Sequence, residues 1–73
     1  MNYIIETYDN ENRQLLGSEN SAIVRDAKTM VKVNNRLKWF NPCNRAIKIK
    51  ISSFTNIYDE KTYKEVKTIN INH

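Results

Sequence analysis

Tyr3-Ile4-Ile5-Glu6-Thr7-Tyr8 is dense in β-branched and aromatic residues, which predicts a first strand. The polar cluster Asp9-Asn10-Glu11-Asn12-Arg13 reads as a turn, and Gly17-Ser18 as a second break. A helix is expected from near Ser18 to Ser21 as far as about Asn35. Ser18, Asn20 and Ser21 are each able to cap it, and Glu19 suits the positive end of its dipole. At about 100° per residue, Ile23, Val24, Ala27, Met30 and Val31 share one side, while Arg25, Lys28, Lys32 and Arg36 line the other. Asn34-Asn35 weakens this helix, and Asn41-Pro42 ends any continuation, because the residue before a proline is pushed out of helical geometry.

The clearest strand is Ala46-Ile47-Lys48-Ile49-Lys50-Ile51, which alternates without interruption. It directs Ile47, Ile49 and Ile51 to the core, and Lys48 and Lys50 outward. Ser52-Ser53 marks a bend or bulge. Phe54 to Tyr58, with room for a short extra strand, runs to a turn at Asp59-Glu60-Lys61-Thr62, and Tyr63 to Ile71 returns as the last strand. The expected class is α+β: an antiparallel-rich sheet of three or four strands, order β-α-β-β, with one amphipathic helix on one face.

Seventy-three residues make one domain, 1–73, which buries only about 60% of its unfolded surface. Docking onto a larger partner, or forming a homodimer, relieves that shortage. No apolar run reaches the roughly 20 residues that span a bilayer, so no membrane partner is expected, and the N-terminus does not read as a signal peptide. With Cys43 as the single cysteine there is no internal disulfide, and the chain is expected in a reducing, bacterial cytoplasm. Eleven asparagines and nine isoleucines fit the AT-rich coding of low-GC bacteria and their phages.

Catalytic chemistry has little to work with. His73 is the last residue, Cys43 follows Pro42 in a turn, and Asp59-Glu60 suits a solvated turn. No metal-ligand spacing, phosphate loop or dinucleotide fingerprint is present. Neither an enzyme nor a cofactor is expected.

Charge separates the chain into unequal parts. Residues 25–50 carry eight cations (Arg25, Lys28, Lys32, Arg36, Lys38, Arg45, Lys48 and Lys50) against Asp26 alone. Residues 1–24 carry one cation against four carboxylates. A basic helix stripe can follow phosphates, with strong salt dependence, dock onto an acidic protein surface, or simply keep the domain soluble. Arg36-Leu37-Lys38-Trp39-Phe40 interleaves cations with aromatics, which suits base stacking or an interface anchor. A lone tryptophan is also a usual core residue, so Trp39 or Phe40 is expected to close the core at the helix exit. Lys48 and Lys50, with Tyr58 or Tyr63 near the hairpin, form a second candidate site.

The opening strand at Tyr3-Ile4-Ile5, a capped helix carrying Ala27-Lys28, an alternating strand and a tyrosine-flanked hairpin from Tyr58 to Tyr63 together resemble small phage-encoded accessory proteins. Among these are the βαββ-type anti-CRISPR inhibitors. That resemblance implies a host defence protein or ribonucleoprotein as partner, blocked by occupying a surface. Direct DNA or RNA binding is the alternative, and a structural or oligomerisation module the second.

Overall fold

The computed structural model describes residues 1–71, and the expectation placed on His73 lies outside them. Over these residues the chain forms five strands and one helix: β1 (Asn2–Tyr8), β2 (Gln14–Leu15), β3 (Ser21–Val24), α1 (Met30–Lys38), β4 (Lys48–Phe54) and β5 (Lys64–Asn70). A short 3-10 turn at Glu60–Thr62 lies between β4 and β5. The class is the expected α+β, with five strands in the order β-β-β-α-β-β where three or four in the order β-α-β-β were expected.

Every strand pairing is antiparallel. β1 lies between β4 on one side and both β2 and β3 on the other, and β5 extends the sheet beyond β4. β2 and β3 therefore act as one edge strand interrupted by the 16–20 excursion. Because β3 and β4 are both antiparallel to β1, they run parallel to each other, and α1 makes the crossover between them.

The helix is shorter and later than its periodicity suggests. Residues 21–24, expected as helix, are strand. There Val24 pairs with Tyr3 and Ala22 with Ile5, which buries Val24 and partly buries Ala22 while giving the backbone of β1 a partner. That non-local pairing outweighs a modest local preference for helix in a segment containing the β-branched pair Ile23-Val24. Asp26 then takes a left-handed φ of 55°, with its N–H held by Asn2 Oδ1 at 3.0 Å, so the backbone cannot run into helix there. The working N-cap is Thr29, whose hydroxyl accepts from Val31 N. Arg25, Ala27 and Lys28 consequently lie outside the helix. Its inward face is Met30, Val33 and Leu37, continued by Phe40, instead of the expected set with Ile23 and Val31, both of which are exposed.

Residue alternation assigns the two faces of the sheet. Tyr3, Ile5, Val24, Ile49 and Ile51 meet Ala27 and Val33 beneath the helix, and Ile69 and Ile71 add to the margin. Ile47, expected in this core, precedes β4 and is 40% exposed. Its backbone instead links neighbours, donating to the carbonyl of Tyr8 and accepting from the N–H of Ile71. The break expected at Ser52-Ser53 is a register shift between Ile51 and Ser52. Opposite it, Lys67 pairs with Ile51 and Glu65 with Ser52, leaving Val66 as the extra residue of a bulge. No separate strand forms at 55–58. β5 falls where the last strand was expected.

Asn20, expected as a helix cap, is a buried fastener. Its Nδ2 donates to the carbonyl of Leu16 at 3.0 Å, and its Oδ1 accepts from Cys43 N at 3.0 Å. Its carbonyl receives the hydroxyl of buried Thr7 at 3.1 Å. One side chain thus ties the edge excursion to the loop that follows the helix. Among the described residues, no helix is long and apolar enough to cross a membrane.

Candidate binding surfaces

The nine expected contact residues do not form one surface. Arg25 lies just after β3, and Lys28 precedes the cap, both exposed. Lys32, Arg36 and Lys38 are exposed on α1, with Trp39 at its C-cap. Arg45 is exposed in the loop before β4, beside Asp9, Asn10, Arg13 and Asn44 around a hollow of about 310 Å³. Lys48 and Lys50 alternate with the buried Ile49, so they occupy the sheet face opposite the helix. The segment of highest positive charge is thereby divided between the outer side of the helix, a loop and the far side of the sheet.

The helix outer side is the first surface. Phe40 packs at the core margin, as one of the two aromatic residues was expected to, whereas Trp39 is 81% exposed. Val31 is 62% exposed. With Asn35 between them at i+4, Val31 and Trp39 form a line along the solvent side. Lys32 and Arg36, four residues apart, border that line on one side, and Lys38 lies on the other. α1 itself carries no acidic residue. The result is a line of Val31, Asn35 and Trp39 that ends in an indole and is edged by three cations.

The far face of the sheet is the second. Lys48 and Lys50 place their ammonium groups 5.3 and 5.9 Å from the centre of the Tyr8 ring, and Lys48 also donates to Asn12 Oδ1. The connection between β4 and β5 folds across this face. Asp59 caps the 3-10 turn by accepting from Lys61 N, the turn role expected of it, and Tyr63 packs on Phe54 with ring centres 5.6 Å apart. The Tyr63 hydroxyl donates to the carbonyl of Ile57 at 2.6 Å. Between this strap and the sheet lies a polar pocket of about 270 Å³, lined by Glu6, Tyr8, Gln14, Lys50, Glu60 and Tyr63. Lys50 and Tyr63 are thus brought together as the sequence suggested, while Tyr58 is 95% exposed and outside this lining.

Glu6, Tyr8, Gln14 and Glu60 join this pocket without having been expected at it. Glu6, expected only as a residue of the first strand, is 7% exposed. Burial raises its pKa above the ordinary value, and the negative charge of Glu60 adds to that; Lys50 and a hydrogen bond from Gln14 act in the opposite sense. Burial likewise raises the phenol pKa of Tyr8, with Glu6, Glu60 and Glu65 contributing, and that of Tyr63, with Glu6 and Glu60 contributing. Asp9, at the first turn, shifts the other way. The backbone N–H of Arg13 is the main cause of its lowered pKa, helped by the N–H of Glu11 and the Arg13 guanidinium, against some desolvation.

Cys43, expected in the turn after Pro42, is half-buried, and its backbone N–H is the one held by Asn20. Comparison of the chain with protein-family models, with curated proteins and with solved structures finds no match to any of them.

Proposed function

We propose that this chain is a non-catalytic binding protein of phage or mobile-element origin. It acts in a bacterial cytoplasm, where it blocks a host defence protein or ribonucleoprotein by laying the outer side of α1 on an acidic protein surface. The observation that carries this reading is the exposed Trp39 at the end of the Val31–Asn35–Trp39 line, bordered by Lys32, Arg36 and Lys38. An exposed indole costs solvation and contributes little to the fold, whereas tryptophan and arginine at the centre of an interface supply a large share of binding energy. The neighbouring cations steer an acidic partner into place and set its orientation.

Direct DNA or RNA binding fits less well. A phosphate track needs its cations on one continuous surface, and here Lys48 and Lys50 stand on the side of the sheet away from Lys32 and Arg36. A tagged pull-down from lysates of low-GC bacteria, with and without nuclease, separates these readings. A discrete protein should remain with the bait after nuclease and be lost from a Trp39→Ala/Arg36→Glu variant. Because both side chains are exposed, that variant should melt within about 0.5 kcal/mol of the parent. Retention of nucleic acid alone, removed by nuclease, contradicts the proposal and favours the phosphate-binding reading.

A further inference from the structure

The strongest unassigned feature is the pocket beneath the 3-10 strap. Glu6 and Lys50 are direct cross-strand partners in the β1–β4 ladder, the arrangement in which an ion pair is expected. No such pair forms. The Lys50 ammonium lies over the Tyr8 ring, and no cation comes within 4 Å of Glu6 among the described residues. The only hydrogen bond to this buried carboxylate there comes from a neutral amide, Gln14 Nε2 to Oε2 at 2.7 Å. Across the pocket, Glu60 presents a second carboxylate that also lacks an ion pair among the described residues.

A buried carboxylate with no cation in contact is costly, even with Lys50 at longer range in the same pocket, and a like charge opposite increases the cost. Both terms are relieved by a cation that enters from solvent. We propose that this pocket binds a guanidinium group, bridged between Glu6 and Glu60 and walled by Tyr8 and Tyr63. A guanidinium carries five N–H donors in one plane, so it can serve two carboxylates at once and lie flat beside a phenol ring. An ammonium is a point charge with no plane to lie beside a phenol and no fixed fork to serve both carboxylates. The pocket's volume of about 270 Å³ admits the planar head and the first methylenes of an arginine-like chain.

Two sources share this chemistry: a free guanidinium compound and an arginine side chain carried by a peptide. Titrating the 15N-labelled protein by NMR with agmatine, with the tripeptide Gly-Arg-Gly and with cadaverine tests the site and separates them. The expected result is saturable shifts of the Glu6, Tyr8, Gln14 and Tyr63 amides with at least one guanidinium probe, at roughly millimolar affinity for so open a site. Cadaverine, the diammonium counterpart of agmatine, should bind several-fold more weakly. Saturation by agmatine alone assigns a free compound, and tighter saturation by Gly-Arg-Gly assigns a partner's arginine. Glu6→Gln should weaken binding by about tenfold, the loss of one charge-assisted contact. Should that variant fold poorly, exposed Glu60→Gln gives the same direction without touching the core, and Glu19→Gln, away from the pocket, should change nothing. Equal affinity for cadaverine, unchanged affinity in both pocket variants, or no saturable shift with either guanidinium probe overturns the proposal.

Discussion

The two faces of the central sheet are made by the same two strands and have opposite character. On β1, Tyr3, Ile5 and Thr7 alternate with Ile4, Glu6 and Tyr8; on β4, Ile49 and Ile51 alternate with Lys48, Lys50 and Ser52. The first set meets α1 in an apolar core. The second meets a short strap and encloses carboxylates, a lysine and two phenols. Burial on the helix side removes apolar area from water and stabilises the fold, whereas on the strap side the apolar Ile4 and Phe54 are buried together with a carboxylate. A domain of this size separates the two tasks by residue parity alone, and each face should respond to its own kind of change.

The largest expected effect comes from breaking the helix-side face. Ile51 is fully buried at its centre, and Ile51→Ala should cost about 2–5 kcal/mol, a large fraction of the stability of a small domain. Chemical denaturation should show a lower midpoint, and retention of the parental midpoint would mean that this core is not the main source of stability. Next in size is the polar fastener that holds the sheet edge. Asn20→Ala leaves the Leu16 carbonyl and the Cys43 N–H without their partner, and should cost about 1–3 kcal/mol. Faster amide exchange should be confined first to residues 16–20 and the loop around residue 43.

The strap-side face is probed by pH. Glu6 has a raised pKa in the folded chain, so above that pKa folding carries the cost of an ionised buried carboxylate, and this cost disappears as pH falls below the unfolded value. Glu6→Gln should therefore raise the melting temperature at pH 7, and the gap to the parent should close on acidification. Asp9 works in the opposite sense. Its lowered pKa stabilises the fold above the ordinary carboxyl range, and that contribution is lost as pH falls through the lowered value, so Asp9→Asn should destabilise at pH 7 and converge with the parent in acid. A Glu6→Gln protein less stable than the parent at pH 7 would show that the charge itself holds the strap.

How far each region was legible from the sequence follows the same division. β4 was readable because alternation is a local signal, β1 from its density of β-branched and aromatic residues and β5 as the return from the Asp59–Thr62 turn, and the Ser52-Ser53 irregularity lies where two small polar residues interrupt the alternation. The start of the helix was not. Ser18, Asn20 and Ser21 imitate caps, and Ile23, Val24, Ala27 and Met30 keep a helical period through a segment whose strand character depends on Tyr3 and Ile5, some twenty residues away. The outward direction of Lys48 and Lys50 and the nearness of Tyr63 were visible. The burial of Glu6 was not, because it is produced by a strap more than fifty residues later in the chain. The exposed Trp39 beside a core-bound Phe40 is a matter of helical phase: once α1 begins at Met30, residue 40 falls near the Met30–Val33–Leu37 side and residue 39 away from it.

The central claim, that the outer side of α1 is the contact surface, is tested most directly by site-specific photo-crosslinking. A photoreactive residue in place of Asn35, between Val31 and Trp39, is compared with one in place of Thr68, exposed on β5, in the same nuclease-treated lysate. One discrete protein adduct should form from position 35, abolished by Lys32→Glu/Arg36→Glu, and none from position 68. An equal or stronger adduct from position 68, or an adduct at 35 that survives the charge reversal, would contradict it.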